Sequence, residues 1–331
     1  MIQPIEPVRT FWVDEARRLH TSLGREQIAE IVGAGTGQLW VDIDSRSEDD
    51  WSLLTDVFRF HPLADEDTRS PDCRVKLEEY DGYAFLVVRG IRFAEETVEP
   101  YDIDTHNLYL FIGPNYLVTV HAVPFDSVRT VAERLGASID LLARGTDHLA
   151  YALVDTLVDL YFPLLDRLDD FVDELEQGIF EEDDGEVMQK IFDLKRSLLL
   201  LRRHLAPMRE VMASVANRPS PYLKQETQIY FRDVYDHVVR QVESIENFRE
   251  LLTGAMEARL SMISNRMNEI IKVLSVIATV ILPPTLIASI YGMNFASIPH
   301  AGHPRGFWLI VTGMGLVTVV LLLYLWWKEW L

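Results

Sequence analysis

The sequence contains a single cysteine, Cys73, among its 331 residues. One thiol can build neither an internal disulfide framework nor a thiolate zinc site, so both are excluded and a reducing compartment is expected. Basic residues are also few, with 31 Lys and Arg against 51 Asp and Glu and a net charge of −20. Nucleic-acid binding needs clustered basic side chains, and this composition argues against such a partner.

Charge is almost absent from the C-terminal part of the chain. Between residues 273 and 327 the only charged side chain is Arg305. Two uncharged runs, 273–291 and 307–327, come close to the ~20 residues that a helix needs to cross a bilayer. Aromatic residues, typical of membrane interfaces, flank the second run: Phe307, Trp308, Tyr324, Trp326, Trp327 and Trp330. We predict two transmembrane helices that contact membrane lipids.

The N-terminus lacks the basic and apolar regions of a signal peptide. We therefore expect the chain to begin in the cytosol, and two spans then return the C-terminus to the same side. The predicted location is the cell (inner) membrane, multi-pass, with both termini cytoplasmic. The distribution of positive side chains supports this orientation. The predicted inner side has Arg259, Arg266, Lys272 and Lys328, and the predicted outer side has Arg305.

Residues 1–145 have the pattern of an α/β domain. Five strand-like runs, joined by turns at Asp81-Gly82 and 113–115, suggest an antiparallel meander: 39–43, 75–78, 83–88, 107–112 and 116–120. Ser47 is placed to cap a helix whose apolar residues are Trp51, Leu54, Val57 and Phe58. The glycines of 33–37 are followed by a strand, whereas a phosphate-binding loop needs a helix there, so a glycine turn is predicted.

Helical periodicity takes over after residue 145. Leucines recur every three or four residues from Leu149 to Leu175, and the pattern resumes after an acidic break at 181–186, which predicts a helical hairpin over 146–220. We read that break as a solvated turn. One long helix is then predicted over 221–291, with a three-four apolar seam that favours packing along its length: Val238, Val242, Ile245, Leu252, Met256, Ile263 and Ile270. An external loop (292–306), a second span (307–327) and a cytosolic tail (328–331) complete the chain.

These patterns predict an α+β cytosolic domain followed by very long helices and two C-terminal transmembrane helices. No enzyme motif is present: the sequence has no phosphate-binding Walker loop, zinc-protease helix or nucleophile elbow. Polar and apolar residues share one stripe of the first span and its approach: Asn268, Ile271, Leu274, Leu282, Thr285, Ser289 and Asn294. The stripe fits either a pore formed by several copies or polar groups that bond carbonyls and hold helices together, and periodicity alone leaves both open.

The segment Tyr291-Gly292-Met293-Asn294-Phe295, between the two spans, resembles the signature of the CorA family of divalent-cation transporters. Other segments also look like family sequence: 230–237, 272–279, His61-Pro62-Leu63 with the acids after it, and 328–331. The resemblance covers nearly the whole chain. It implies a homopentameric, funnel-shaped channel that admits mainly Mg²⁺ and also Co²⁺ and Ni²⁺.

The resemblance also implies roles for individual residues. Gly292, Met293 and Asn294 match the selectivity filter, where neutral amides can contact hydrated Mg²⁺ and Gly292 would permit the backbone turn. The pore-lining positions of the family match Asn268, Ile271, Leu274, Leu282 and Thr285. Regulatory Mg²⁺ in the cytosol would be held between subunits by carboxylates, at Asp67 and Asp233 with Glu66 and Asp155 nearby.

The external loop departs from the family pattern. Family loops often carry acids, whereas residues 296–306 have none and contain His300 and His303, which could favour Zn²⁺. Two alternatives to a magnesium channel follow. One is a zinc transporter of the related ZntB type, with or without coupling to protons, and the other is a membrane-anchored oligomeric scaffold that transports nothing.

Overall fold

The computed structural model describes residues 7–44, 47–70, 73–94, 97, 100–181, 184–294, 304–328 and 330. The chain divides into two compact units, Met1–Ala255 and Met256–Leu331. The predicted loop positions Phe295, His300 and His303 lie outside the described residues.

A seven-stranded mixed sheet forms the centre of the first unit. Its strands are β1 (Val8–Val13), β2 (Leu19–Thr21), β3 (Gln38–Asp44), β4 (Lys76–Tyr80), β5 (Tyr83–Phe93), β6 (Ile103–Ile112) and β7 (Tyr116–His121). Their order across the sheet is β2-β1-β3-β7-β6-β5-β4. The chain segment between β3 and β7 crosses the sheet, so these two strands pair in parallel while every other pair is antiparallel.

The five predicted strands are confirmed, and the antiparallel meander is confirmed for β4 to β7. The prediction missed β1 and β2, which add two antiparallel strands beyond β3. The reason is visible in β1, where burial does not alternate strictly from residue to residue and the period-two signal is therefore weak.

Ten helices lie in the described part of the chain: α1 (Arg25–Ala34), α2 (Glu48–Asp56), α3 (Pro62–Arg69), α4 (Asp126–Ala137), α5 (Asp140–Ala143), α6 (Thr146–Asp159), α7 (Tyr161–Glu181), α8 (Asp184–Asn217), α9 (Gln225–Tyr291) and α10 (Gly306–Trp327). As predicted, α2 begins directly after Ser47, but it ends at Asp56, so Val57 and Phe58 follow it.

One face of the sheet forms the core of the α/β domain with helices α1 to α3. Strand side chains such as Val41, Phe85 and Phe111 are fully buried against Ile28 of α1 and Leu54 of α2. Each buried side chain of this size contributes roughly 1.5–3 kcal/mol through removal from water. The glycine turn is confirmed from Gly35, which follows the last residue of α1, Ala34, with φ of 68° and precedes β3, whereas Gly33 lies inside α1.

Helices α6, α7 and α8 make the next layer. The predicted first helical run is interrupted at Leu160, which is 43% exposed while Leu157 and Leu164 are buried. Pro163 explains the interruption, because proline lacks an N–H group and fits best in the first turn of a helix, where that group needs no partner. Helix α8 ends at Asn217, before the Arg218-Pro219 sequence that was predicted to end it.

Helix α9 begins in the first unit and ends in the second. Its predicted apolar seam is buried within the chain at Val238, Val242, Ile245 and Leu252, but Ile263 and Ile270 further along are exposed. Pro283 and Pro284 lie inside the helix. The seam thus has partners in this chain only over its first part.

Three helical segments are long and apolar enough to cross a membrane. In the most apolar windows of α9 and α10, only 6% of residues are buried within the chain. The third segment, Thr146–Ile179, was not predicted as a span, and 56% of its window is buried against other parts of the first unit. Its apolar face is therefore accounted for by the protein core, whereas α9 and α10 leave theirs uncovered.

Candidate functional site

The Gly-Met-Asn segment directly follows the last turn of α9. The Gly292 N–H donates to the Ala288 carbonyl at 2.9 Å, and the Met293 N–H donates to the Ile290 carbonyl at 3.3 Å. Asn294 is exposed, and its amide has no hydrogen-bond partner among the described residues. The helix therefore ends in an amide that is available for a ligand.

Gly292 lies in the turn that follows α9, and its expected role there stays a prediction. Its φ does not lie in the left-handed region, unlike that of Gly35, Gly37, Gly82 and Gly145. The backbone freedom of glycine is therefore not used here. A Cβ at this position would lie 3.2 Å from the Ala288 carbonyl oxygen. The absence of a side chain therefore allows residue 292 to lie close to the preceding turn of the helix.

The predicted pore stripe is exposed along the second unit. Ile271 is 53% exposed, and Leu274 and Leu282 are each 64% exposed. Asn268 and Thr285 are exposed as well. Since none of the described residues covers the stripe, its apolar members need lipid, another copy of the chain, or water to face them.

Hydroxyl groups near the stripe bond the helix backbone. Thr285 Oγ1 donates to the Ile281 carbonyl at 2.8 Å, and Ser275 Oγ donates to the Ile271 carbonyl at 2.7 Å. These two hydroxyls thus bond carbonyls, as one of the two possibilities left open by the sequence has it, and this bonding does not exclude the other. A hydroxyl keeps its acceptor lone pairs when it donates, so Thr285 can still accept a hydrogen bond from water.

The two prolines leave further polar groups in this span. Pro283 and Pro284 have no N–H, so the carbonyls of Thr279 and Val280, four residues earlier, lack their usual helical donors. Such groups are tolerated at membrane depth where another helix or a water-filled cavity satisfies them.

The acids predicted to hold regulatory Mg²⁺ fall into two groups in the first unit. Asp67 lies on α3, and its Oδ2 accepts a hydrogen bond from Lys76 Nζ at 2.6 Å. Lys76 also donates to Glu78 at 2.8 Å. Burial opposes the charge of Lys76, but these two carboxylates outweigh it and raise the pKa of Lys76 above its ordinary value. Glu66, next to Asp67, is exposed.

The second group joins α6 to α9. Burial, followed by the charges of Asp159 and Asp233, raises the pKa of Asp155 above its ordinary value, while the nearby His237 opposes this rise. His237 lies 3.2 Å from Asp159 and 3.7 Å from Asp233. The structure therefore brings Asp155 and Asp233 into one electrostatic cluster.

The sequence interpretation missed Lys76, Asp159 and His237. Asp159 lies four residues after Asp155, and His237 lies four residues after Asp233, so each shares a helix face with a predicted residue. That spacing could have found both. Within the described part of the chain, no group of three or more His, Cys, Asp or Glu side chains could hold a metal ion.

Comparison with known proteins identifies the family. The model of the family described as "CorA-like Mg2+ transporter protein" matches residues 36–327. The "Putative metal ion transporter YfjQ" of Bacillus subtilis is 35% identical over 311 residues, covering 94% of this chain and 95% of that protein. The "Cobalt/magnesium transport protein CorA" of Thermotoga maritima is 33% identical over 326 residues, covering 98% of this chain and 92% of that protein.

The fold of this chain matches that of a solved CorA structure over its full length. The complete structure of the CorA magnesium transporter from Methanocaldococcus jannaschii matches with a TM-score of 0.83 and 22% identity, covering 100% of both chains. The α/β domain, the long helix α9 and the uncovered helix α10 are thus features of a known architecture. With the family model matching most of the sequence, the chain belongs to the CorA family of divalent-cation transporters.

Proposed function

We propose that the protein is a homopentameric, funnel-shaped magnesium channel of the cell (inner) membrane, and not an enzyme. Entry of Mg²⁺ would be passive and driven by the membrane potential, since two charges crossing ~100 mV gain about 4.6 kcal/mol. The observation that carries the proposal is the exposed Asn294 amide, which has no hydrogen-bond partner among the described residues, at the end of a span whose pore stripe those residues leave uncovered. Co²⁺ and Ni²⁺ would also pass.

The selectivity proposal rests on the chemistry of an amide. Mg²⁺ gives up its water shell reluctantly and prefers octahedral oxygen ligands. Five Asn294 oxygens around an axis could accept hydrogen bonds from that water shell without replacing it, whereas a carboxylate ring would hold the ion more tightly. Gly292 and Met293 complete this filter, and the described stripe from Asn268 to Thr285 would line the path below it.

Gating is proposed to reside in the cytosolic acids. Asp155 and Asp233 already repel one another within one chain, and Asp67 is held by Lys76. In a ring of subunits, Asp67 of one copy would face Asp233 of the next, and bound Mg²⁺ would offset their repulsion and favour the closed ring. Glu66 would add charge at the same interface.

Purified protein reconstituted into lipid vesicles tests the proposal. With an inside-negative potential, we expect Mg²⁺ entry through the native chain and strongly reduced entry through Asn294→Ala. The matched control is Thr312→Ala on α10, whose hydroxyl bonds the Trp308 carbonyl within its own helix; its flux should stay close to that of the native chain. If vesicles containing the native protein take up no metal, the channel proposal is contradicted and the non-transporting oligomeric scaffold remains.

The same vesicles separate magnesium from zinc. Zn²⁺ uptake that exceeds Mg²⁺ uptake and depends on an imposed pH gradient would replace the magnesium proposal with the ZntB-type transporter. Subunit stoichiometry is measured independently, by the mass of the detergent-solubilised complex, and any number other than five contradicts the proposed ring.

A further inference from the structure

A pocket of about 590 Å³ lies in the α/β domain, where β5, β6 and β7 meet α2 and α3. Its lining contains two arginines and two histidines, and no carboxylate: Trp51, Thr68, Arg69, Arg89, Thr105, His106, Asn107, Tyr109, Val120, His121 and Ala122. This composition is unusual in a chain with 51 acidic residues against 31 basic ones. Two other pockets each include at least one aspartate in their lining.

Three of these four arginines and histidines already have a carboxylate partner outside the lining. Arg69 contacts Asp65 and Glu48, His106 contacts Asp104, and His121 contacts Asp42. Arg89 is different. No carboxylate in the described part of the chain lies within ion-pair distance of its guanidinium group.

Neutral acceptors hold Arg89 in place. Its Nε donates to Thr105 Oγ1 at 3.1 Å and its Nη1 donates to the Cys73 carbonyl at 3.4 Å. Asn107, directly opposite Arg89 on β6, donates to the same carbonyl at 3.0 Å. Two of the five guanidinium N–H donors are therefore used, and the side chain is oriented without being neutralised.

A partly buried guanidinium without a counter-ion costs free energy, because it has lost part of its water and cannot lose its proton. The charge of Arg89 also affects the pKa of a nearby histidine. Burial, followed by the charge of Arg89, lowers the pKa of His204 to about 4. An anion bound in the pocket would supply the negative charge that the Arg89 guanidinium lacks.

We propose that this pocket is a binding site for a small phosphate-bearing anion, whose phosphoryl oxygens accept hydrogen bonds from Arg89. A guanidinium group offers a planar fork of donors that matches phosphate oxygens. The pocket lies within the size range of about 300–1,000 Å³ typical of small-molecule sites, so it has room for more than the phosphate group. Trp51 and Arg69 also line the pocket, with the Arg69 guanidinium 4.9 Å from the centre of the Trp51 ring, and border the space left for an organic part.

Titration of the full-length protein in detergent, without added lipid or divalent metal, tests the proposal directly. Inorganic phosphate should bind saturably and raise the melting temperature beyond the effect of chloride at equal ionic strength. Citrate at the same concentration should bind more weakly. Absence of saturable phosphate binding by the native chain overturns the proposal, and tighter binding of citrate overturns the assignment to phosphate.

Arg89→Gln locates the site. This variant should weaken phosphate binding about tenfold or more, because charge-assisted hydrogen bonds contribute roughly 1.5–3 kcal/mol and 1.4 kcal/mol is a factor of ten. In chloride its melting temperature should equal or exceed that of the native chain, since an uncompensated charge is removed. The control is Arg129→Gln, an exposed arginine paired with Asp126, which should bind phosphate as the native chain does. Equal phosphate affinity of Arg89→Gln and the native chain would contradict the site.

Discussion

Lys76 Nζ lies 2.6 Å from Asp67 Oδ2, so the carboxylate proposed to hold regulatory Mg²⁺ is already paired with a cation of its own chain. Lys76 also lies 2.8 Å from Glu78 and is only 25% exposed. A divalent ion at Asp67 must therefore displace this ammonium group or share the carboxylate with it. The affinity of the proposed sensor would depend on Lys76 as well as on the acids.

Lys76→Met should make Asp67 and Glu78 more available to cations. We expect inhibition of transport by internal Mg²⁺ at a lower concentration, by about threefold to tenfold if the lost competition is on the order of 0.7–1.4 kcal/mol. Flux measured in vesicles loaded with graded Mg²⁺ gives the midpoint. Arg25→Met removes a comparable pair with Asp56, at 2.6 Å in the same domain, and should leave the midpoint unchanged. A higher midpoint for Lys76→Met would remove Asp67 from the sensor.

Asp155→Asn should stabilise the protein at neutral pH. Its pKa in the folded chain is raised by burial and by Asp159 and Asp233, so ionisation of Asp155 destabilises the fold. This penalty is absent below the ordinary aspartate pKa of about 4 and grows as pH rises above that value. The melting temperature of the variant should exceed that of the native chain at pH 7, and the two should converge near pH 4.

Magnesium gives the same variant a second readout. If bound Mg²⁺ offsets repulsion in this cluster, the metal should raise the melting temperature of the native chain more than that of Asp155→Asn. Asp126→Asn, at an exposed position on α4, serves as the matched control and should respond as the native chain does. An identical response of all three proteins would place Asp155 outside the sensor.

Much of the fold could be predicted from sequence periodicity. The strands β3 to β7, the long helices and the two spans have apolar spacing strong enough to identify them, and the bounds of α9 fall within a few residues of the prediction. The parallel pairing of β3 with β7 could not be predicted, because it depends on how the chain crosses the sheet between them. The break at Leu160 was missed because the leucine spacing continues through it.

The candidate site was only partly accessible from sequence. Asn294 and the acids were found by resemblance, and their roles stay predictions. Contacts such as Lys76 with Asp67 or His237 with Asp159 depend on the meeting of separate elements, which spacing along the chain does not determine. That Arg89 has no carboxylate partner among the described residues is likewise invisible in a sequence, because ion pairing depends on which elements meet in the fold.

Asp147 should be important for the stability of the first unit. This residue of α6 is 2% exposed, and its Oδ2 accepts from the Lys224 N–H at 3.0 Å and from Thr227 Oγ1 at 2.6 Å, at the start of α9. Asp147→Ala leaves these donors without an acceptor, and we expect a loss of roughly 2–4 kcal/mol. Urea unfolding in detergent, followed by circular dichroism, measures the loss. Asp140→Ala, at an exposed ion pair, should change stability by no more than about 0.5 kcal/mol.

His121 should make stability fall at alkaline pH. Burial opposes its charge, but hydrogen bonds with Asp42 and Asp44 outweigh this and raise the pKa of His121 to about 9. A raised pKa means that the stabilisation is complete below the unfolded value of about 6.5 and is lost as pH rises through about 9. The difference in melting temperature between the native chain and His121→Gln should therefore shrink from pH 6 to pH 9.5. A difference that stays constant would show that His121 contributes by packing alone.

Leu274 offers a test of apolar gating in the proposed pore. A ring of leucines can block ions by excluding water from a narrow passage, and a hydroxyl at the same position would admit water. We expect Leu274→Ser to raise Mg²⁺ flux at inhibitory internal Mg²⁺, by about tenfold for each ~1.4 kcal/mol removed from the barrier. Val273 is the matched control, since it is 58% exposed against 64% for Leu274 but lies about 100° away around the helix. Equal leak through Val273→Ser and Leu274→Ser would mean that a general weakening of the span, and not a gate at Leu274, lets the ion through.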